Sequence, residues 1–437
     1  MKSLKTLTAI ALFTLATSAA QAQKLTLDNA VQLATNNSKQ LKMSAAKVDA
    51  ADAKVDQNVN SFIPQVTLNA NYTRLSDNIE PFTISIPGFG SQVLNPQILN
   101  QFTNRLSVQS TLFGGLRNQN NLKTTQYLET AAKLDAEKDA TDVRFNAIIA
   151  VLNLYKGQQT LKLVDENLKL SDTRLTDVTN MFTTGMALQN DVLRTALNKS
   201  NLEISKVDVE SGISTANYNL NILLGQGETV VNEFDETSLF PVAEQKPVSA
   251  WITDAIANRS DKKAADTRSL VYQAGVKNAR TGYMPTLTAG FNYYYNNPNQ
   301  RVFPQQDAFK ATWDLGATLS WNLTGLYSSG ALVREAKQNV VQSQLTTSII
   351  EDGIKMEVNA NYNAYTVAKA KIDLAQKALD QAIENQRVVK NRVDNGVNLQ
   401  TDLLDADAFV FQAQINLLNA KIDAQVAYFK LLKSVGK

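Results

Sequence analysis

The sequence predicts a mainly α-helical chain that also carries β-strands of membrane-spanning length and is built from two copies of one unit. Landmarks that occur twice in the same order predict the duplication, and self-similarity of this kind is typical of repeat architectures. The paired landmarks are Phe62-Ile63-Pro64 with Tyr283-Met284-Pro285, Gly115-Leu116 with Gly325-Leu326, and Gly185 with Gly396. The nine prolines fall in two windows, 64–96 and 241–304, so the long tracts between and after them are predicted to be helical.

Each repeat is predicted to run helix, strand, loop, strand, long helix, tight turn and helix. The first repeat, residues 23–224, is predicted to have helices at 28–62, strands at 65–75 and 104–113, and long helices at 115–184 and 190–224. The second, residues 251–437, is predicted to have helices at 251–282, strands at 285–296 and 312–323, and long helices at 326–395 and 401–434. Residues 225–250, rich in acidic residues and proline, are predicted to connect the repeats.

Residues 1–22 have the pattern of a secretory signal peptide. Lys2 and Lys5 precede a short apolar stretch, and Ala20-Gln21-Ala22 matches the small-residue cleavage signature. The apolar stretch is too short to be a membrane helix, which needs about 20 apolar residues. The mature chain is therefore predicted to leave the cytoplasm.

The composition argues against several classes of site. The chain has no cysteine and no histidine, which excludes a disulfide framework, histidine catalysis and most zinc sites. Its 43 basic and 41 acidic residues nearly balance, so no basic field attracts nucleic acid. No phosphate-binding loop of the G-x-x-x-x-G-K type occurs. We expect no catalytic residue, no cofactor and no metal site.

The long helices carry apolar residues at coiled-coil spacing. The first stripe comprises Leu161, Val164, Leu168, Leu175, Val178 and Phe182, and the second comprises Ile372, Ala375, Leu379, Ala382, Val389 and Val393. Each stripe has one polar exception, Ser171 in the first and Gln386 in the second. An ordinary helical core stripe is the alternative, but the same register in both copies favours extended helix pairing.

Tight turns are predicted at the ends of the two long helices. Gly185 and Gly396 stand where a left-handed helix C-cap is expected. Asn190-Asp191 and Thr401-Asp402 follow, and these residue types are typical N-caps for the returning helices.

Four runs of about 10 residues alternate between apolar and polar side chains, which is the period of a β-strand and the length that crosses a bilayer at a tilt. The segments between them, 76–103 and 296–310, are predicted to be polar loops. A half-buried soluble sheet is the alternative. Four strands cannot close a membrane sheet, because an open edge leaves backbone groups unpaired in lipid. Two copies of the chain would supply eight strands and three would supply twelve.

The chain resembles TolC-type outer membrane efflux channels of Gram-negative bacteria. The resemblance covers nearly the whole mature chain and rests on the duplicated layout, the two proline motifs that precede the strands, and Gly396 followed by Thr401-Asp402-Leu403-Leu404-Asp405-Ala406. It implies a homotrimer with a 12-stranded outer-membrane β-barrel, continued by a periplasmic α-helical barrel with a small mixed equatorial region. It also implies a location in the outer membrane that extends into the periplasm.

The resemblance also implies which residues act. Asp402 and Asp405, with Asp191 in the first copy, match an acidic ring at the periplasmic gate. The turn tips that match the adaptor-docking surface are Gly185, Met186, Ala187, Gly396, Val397 and Asn398. The family's tyrosine and arginine latch is replaced here by Val393 and Asn398, and basic residues of the same helix end, Lys390 among them, are candidates to substitute for it. The alternative is that no acidic ring exists: Asp402 and Asp191 would then be helix N-caps only, and Asp405 and Asp407 would belong to a solvated helix face.

The function that the resemblance implies is a passive exit duct. Such a channel conducts substrates from an inner-membrane transporter and a periplasmic adaptor to the exterior, in a tripartite efflux or type I secretion system, and it contacts outer-membrane lipid. A soluble periplasmic coiled-coil adaptor is the alternative, although it would not need strands of membrane length. An enzyme with Asp402, Asp405 and Asp407 as metal ligands has poor support, because one acidic helix face supplies no shaped metal site.

Overall fold

The computed structural model describes residues 25–95, 97–234, 236–241, 244–395 and 399–437. The predicted signal peptide and the tip residues Gly396, Val397 and Asn398 lie outside the described residues. The chain divides into two compact units. The turn unit comprises Met1–Ser38, Val143–Gln245 and Asn361–Leu431, and the sheet unit comprises Lys39–Asp142, Lys246–Ala360 and Leu432–Lys437. Each unit draws on both sequence repeats, so the copies are interleaved rather than folded side by side.

Helices dominate both units. Those of the described residues are α1 (Leu27–Asn37), α2 (Lys39–Asn60), α3 (Arg117–Thr183), α4 (Gln189–Leu224), α5 (Glu236–Leu239), α6 (Val248–Asn258), α7 (Ser260–Arg280), α8 (Gly325–Asp394) and α9 (Gln400–Ser434). The segments predicted to be helical at 28–62 and 251–282 each contain two helices. The backbone becomes extended at Ser38 and at Arg259, with ψ of 119° and 125°, and the helix restarts at the next residue. No helix in the described part of the chain combines the length and apolar composition that crossing a membrane requires.

The predicted apolar stripes form the buried faces of α3 and α8. All members of the two stripes except Phe182 are buried or half-buried, and Val164 and Val178 are 1% and 0% exposed. Phe182 is 44% exposed because it lies in the last turn of α3.

The predicted connector between the repeats is fastened to α4 by asparagine side chains. Asn221 and Asn217 donate to the carbonyl of Val230 at 2.8 and 2.6 Å. Asn232, only 5% exposed, donates to the side-chain oxygen of Asn221 at 2.7 Å. These bonds satisfy backbone groups around Val230, which lies outside the helices and strands of the described residues.

Four antiparallel strands form one sheet in the order β1-β4-β5-β6. They are β1 (Gln65–Arg74), β4 (Asn100–Phe113), β5 (Thr286–Asn296) and β6 (Lys310–Ser320). The strand predicted at 104–113 begins at Asn100, because Phe102 and Asn100 continue the ladder opposite Tyr72 and Arg74. The strand predicted at 312–323 covers 310–320 instead, because Asn322 starts a turn in which its carbonyl accepts the N–H of Gly325 at 3.0 Å.

The segment predicted as a polar loop at 76–103 contains a hairpin. Strands β2 (Phe82–Ile86) and β3 (Gly90–Asn95) pair antiparallel across a turn with glycines at φ +90° and +78°. The alternation of Phe82, Ile84 and Ile86 before a proline-glycine turn is the sequence signal that the loop prediction overlooked.

The two faces of the four-stranded sheet differ in chemistry. Leu68, Trp313 and Leu315 point to the apolar face and are 73%, 67% and 71% exposed. On the other face, side chains bond across the strands: Ser107 donates to Asn292 and Asn292 donates to Asp314, both at 2.7 Å. The sheet therefore leaves an apolar surface open and links polar side chains by hydrogen bonds across its other face.

Glycine is required where the strands join the long helices. Gly115 has φ +64°, and a Cβ there would lie 2.9 Å from the Cβ of Met284. In the second copy, a Cβ on Gly325 would lie 2.6 Å from the carbonyl oxygen of Gly282. The glycine recurs in both copies because each joint brings another segment too close for a side chain.

Ion pairs fasten helices within the sheet unit. Lys138 and Lys433 donate to the carboxylate of Asp142 at 2.8 and 2.7 Å. Burial raises the pKa of Asp142, but the hydrogen bonds from the two lysines outweigh burial, so the pKa lies below its ordinary value.

Candidate functional site at the helix turns

The turn between α3 and α4 is a Schellman motif. Gly185 has φ +72°, its N–H donates to the carbonyl of Phe182 at 3.0 Å, and the N–H of Met186 donates to the carbonyl of Met181 at 2.8 Å. This is the left-handed C-cap predicted for Gly185. The turn presents Met186, which is 74% exposed, while Ala187 is half-buried.

For the matching turn of the second copy, the structure describes the residues on either side of the tip. The long helix α8 ends at Asp394 and α9 begins at Gln400. Leu399, immediately before α9, is 71% exposed, and Leu188 at the matching position before α4 is 70% exposed. The two turns therefore present equivalent apolar side chains next to their tips.

Two of the predicted acidic residues cap their helices from the third helical position. The backbone N–H of Leu188 donates to Asp191 Oδ2 at 3.1 Å, and that of Leu399 donates to Asp402 Oδ2 at 3.3 Å. The N-cap positions are thus Leu188 and Leu399. The sequence predicted N-cap chemistry for Asn190-Asp191 and Thr401-Asp402, and the aspartate of each pair supplies it from inside the helix. A carboxylate in the first helical turn also complements the positive end of the helix dipole.

The third predicted acidic residue has a different setting. Asp405 is exposed on α9, whereas Asp402 is half-buried. The structure places these two carboxylates on the first turns of one helix, and Asp191 holds the equivalent position on α4. An acidic ring forms only where several copies of the chain bring these carboxylates together around one axis.

A buried polar cluster near the start of α9 was not predicted. Arg174 of α3 donates from Nε to Asp407 Oδ2 at 2.9 Å, and Gln386 of α8 donates from Nε2 to Asp407 Oδ1 at 2.7 Å. Arg174 and Asp407 are 9% and 5% exposed. The interpretation of Asp407 as part of a solvated face was wrong, because it joins three helices in the interior of the turn unit.

The signal for this cluster lay in the exceptions to the apolar stripes. Gln386 is the polar residue of the second stripe and bonds directly to Asp407. Ser171, the exception in the first stripe, is 3% exposed, and its hydroxyl has no hydrogen-bond partner among the described residues. Polar positions inside an apolar seam commonly fix register or partner choice, and here they mark a layer with a buried ion pair.

The basic residues at the end of α8 do not form a buried latch. Arg387 pairs with Glu384 three residues earlier, at 2.8 and 2.7 Å, and both side chains are about 60% exposed. An exposed pair of this kind is screened by solvent and contributes little to stability. Arg392 lies in the last turn, where it complements the helix dipole, and Val393 is half-buried.

Comparison with known proteins adds the family. A family model described as "Outer membrane efflux protein" matches residues 30–226 and 251–437. The chain is 23% identical over 430 residues to the outer membrane efflux protein BepC of Brucella suis, covering 94% of this chain and 85% of that protein. It is 22% identical over 409 residues to the outer membrane protein TolC of Vibrio cholerae, covering 92% of this chain and 89% of that protein.

Solved structures of similar chains establish the fold. The outer membrane protein VceC of Vibrio cholerae superposes with a TM-score of 0.76 at 16% identity, covering 94% of this chain and 96% of that one. The open-state MtrE outer membrane channel of Neisseria gonorrhoeae superposes with a TM-score of 0.75 at 15% identity, covering 94% and 88%.

Proposed function

Because this chain belongs to the outer membrane efflux protein family, we propose that three copies assemble into one exit duct of a tripartite efflux or type I secretion system. The chain is an outer membrane efflux channel protein, and its family is one of channels rather than enzymes. The soluble periplasmic adaptor that the sequence left as an alternative is not supported. The relatives of this chain are outer-membrane components of efflux systems, so the chain is expected to work with a partner pump and adaptor.

The observation that carries the trimer proposal is the incomplete sheet. In the described residues, β1 and β6 are the outer strands of a four-stranded sheet, and each has a partner on one side only. An edge in lipid leaves N–H and C=O groups unpaired at a cost of several kcal/mol each. Strands from further copies would pair with both edges, and three copies supply twelve strands, enough to close a barrel around an aqueous lumen.

Exposed apolar stripes on the helices support the same assembly. Leu193, Leu197, Ile204 and Val207 of α4 are 61–64% exposed and follow each other at intervals of 4, 7 and 3 residues. On α8, Leu345, Ile349 and Met356 are 59–70% exposed at intervals of 4 and 7. Stripes with this spacing are typical of coiled-coil seams. The described residues of one chain leave them exposed, and a second copy of the chain would supply the partner.

The turn unit supplies the candidate gate. With three copies around one axis, Asp402 and Asp405, and Asp191 at the matching turn, form an acidic ring that attracts cations. The exposure of Asp405 supports this role, whereas Asp191 and Asp402 also cap their helices. Gly185, Met186 and Ala187, with Gly396, Val397 and Asn398, are the proposed contact for the periplasmic adaptor. The inner-membrane transporter drives transport, and the duct is passive.

Planar bilayers test the acidic ring. We expect the purified protein to form channels whose reversal potential in a salt gradient shows cation preference. Asp402→Asn together with Asp405→Asn should reduce that preference, because the double variant removes six charges from a trimer. The matched control, Asp208→Asn with Asp373→Asn, removes as many charges from exposed helix positions away from the turns. Equal selectivity in the two double variants would exclude the ring, and the absence of channels in the parent protein would refute the duct.

A further inference from the structure

The loop after β5 is fastened onto the polar face of the sheet. The guanidinium of Arg301 lies over the ring of Tyr294, 4.1 Å from its centroid, and donates to Asp314 Oδ2 at 2.6 Å. Asn299, only 2% exposed, donates to the carbonyl of Lys310 at 2.9 Å and accepts the backbone N–H of Arg301 at 3.0 Å. Tyr294 and Asp314 both belong to the polar face, so the loop lies across that face and not beside it.

A second arginine stands next to this loop. Arg105 of β4 is directly opposite Tyr294 of β5 in the strand register and shares its face. Directly opposite residues have Cβ atoms about 4.5–5.5 Å apart. Arg105 is exposed and makes no ion pair within the described residues, whereas both oxygens of Asp314 are engaged, by Arg301 and Asn292. The two positive charges of Arg105 and Arg301 are therefore balanced by only one negative charge, that of Asp314.

Other charged groups nearby do not cancel this excess. Lys310 begins β6 on the same face, and Asp307 in the loop accepts from the side-chain amide of Asn297 at 3.0 Å. Their charges offset each other, which leaves Arg105, Arg301 and Asp314 with a net charge of +1 in each chain. The group lies at the end of the sheet opposite to the joints with α3 and α8, since β4 and β6 run from it towards those helices.

We propose that Arg105 and Arg301 form an anion-binding belt that contacts carboxylate-bearing solutes as they pass through the duct. The inference rests on the proposed function, because three copies must enclose the polar face in a lumen. A guanidinium presents two parallel N–H donors that match a carboxylate, and Arg301 is held in place for this by Tyr294 and Asp314. Arg105, which has no ion-pair partner in the part of the chain that the structure describes, supplies the second contact.

Single-channel recording with benzoate as the probe tests the belt. We expect benzoate to block the parent channel reversibly, and benzamide, its neutral analogue, not to block. Arg105→Gln and Arg301→Gln should each raise the half-blocking benzoate concentration about tenfold, as expected for the loss of one charge-assisted contact. Arg74→Gln is the matched control, because Arg74 alternates to the other face of β1 and pairs with Asp77.

The sign of the selectivity change gives a second readout. Both arginine variants should shift the reversal potential towards cations, whereas Asp314→Asn should shift it towards anions. If Arg301→Gln fails to form channels, Arg105→Gln decides the matter, because Arg105 makes no ion pair with any other described residue that its replacement would break. A conducting parent channel with equal benzoate block in Arg105→Gln and Arg74→Gln would overturn the belt and leave the duct intact. A parent protein that forms no channel would refute the duct itself.

Discussion

Replacing Asp407 by alanine removes the carboxylate that holds Arg174 and Gln386 together inside the turn unit. The side chains of Arg174 and Asp407 are 11% and 6% exposed, so the guanidinium would stay buried without a counter-charge. The amide of Gln386 would lose its acceptor as well. The expected result is local separation of the start of α9 from α3 and α8.

The magnitude follows from the burial of the pair. Breaking a buried ion pair by removing one partner costs about 3–5 kcal/mol, because an uncompensated charge remains in the interior. Every 1.4 kcal/mol is a factor of about ten in an equilibrium constant, so the local opening constant should rise by about a hundredfold or more. Replacing both charged partners by apolar side chains, Arg174→Met with Asp407→Leu, should recover most of this loss, because no buried charge then stays unpaired and only the half-buried amide of Gln386 lacks its acceptor.

Hydrogen–deuterium exchange of the detergent-solubilised protein measures this opening. In Asp407→Ala, amides of the first turns of α9 and of α3 around Arg174 should lose about two decades of protection. Asp405→Ala is the matched control, because Asp405 lies on the same helix and is exposed. Protection that is unchanged in Asp407→Ala, or equally reduced in the control, would refute the reasoning. So would a doubly apolar variant that is as unstable as the single one.

Two further predictions concern the turns and the ion pairs. Gly185→Ala should lower the free energy of unfolding by about 1 kcal/mol, because φ is +72° but the space around the new Cβ is open. Gly225→Ala should lower it more, because its Cβ would lie 2.6 Å from the Cβ of Asn37. Equal melting temperatures for the two variants would contradict this. The pKa of Asp142 is lowered in the folded chain, so its contribution to stability is present above its ordinary pKa of about 4 and is lost as the pH falls through the folded value. The melting temperature of Asp142→Asn should therefore fall less than that of the parent on acidification, and parallel pH profiles would argue against the ion pairs.

Regular patterns were predictable from the sequence because they are local. The duplicated glycines, the long proline-free tracts and the alternating runs each follow from the period of one element, and the structure places helices and strands there within a few residues. The left-handed cap at Gly185 was predictable for the same reason. The hairpin at 82–95 was missed because its two strands are short and the proline and glycine around them suggested an irregular loop.

Contacts between distant positions were not predictable. Arg174 and Asp407 are separated by 233 residues, and one sequence does not show which charge meets which. Asp407 follows Asp402 and Asp405 closely, so it was grouped with them, yet it turns inward and they do not. The belt of Arg105 and Arg301 was likewise invisible, because it depends on strand register and on the way a loop folds back.

The central claim is that the open edges of the sheet are completed by other copies of the chain. The protein has no cysteine, so single cysteines can be introduced without background. With Asn69→Cys on β1 and Gly316→Cys on β6, a flexible bis-maleimide applied to outer membranes should join neighbouring chains. The account predicts a ladder of one, two and three chains that ends at three. A protein that remains a single chain, or a ladder that ends at two, would contradict it.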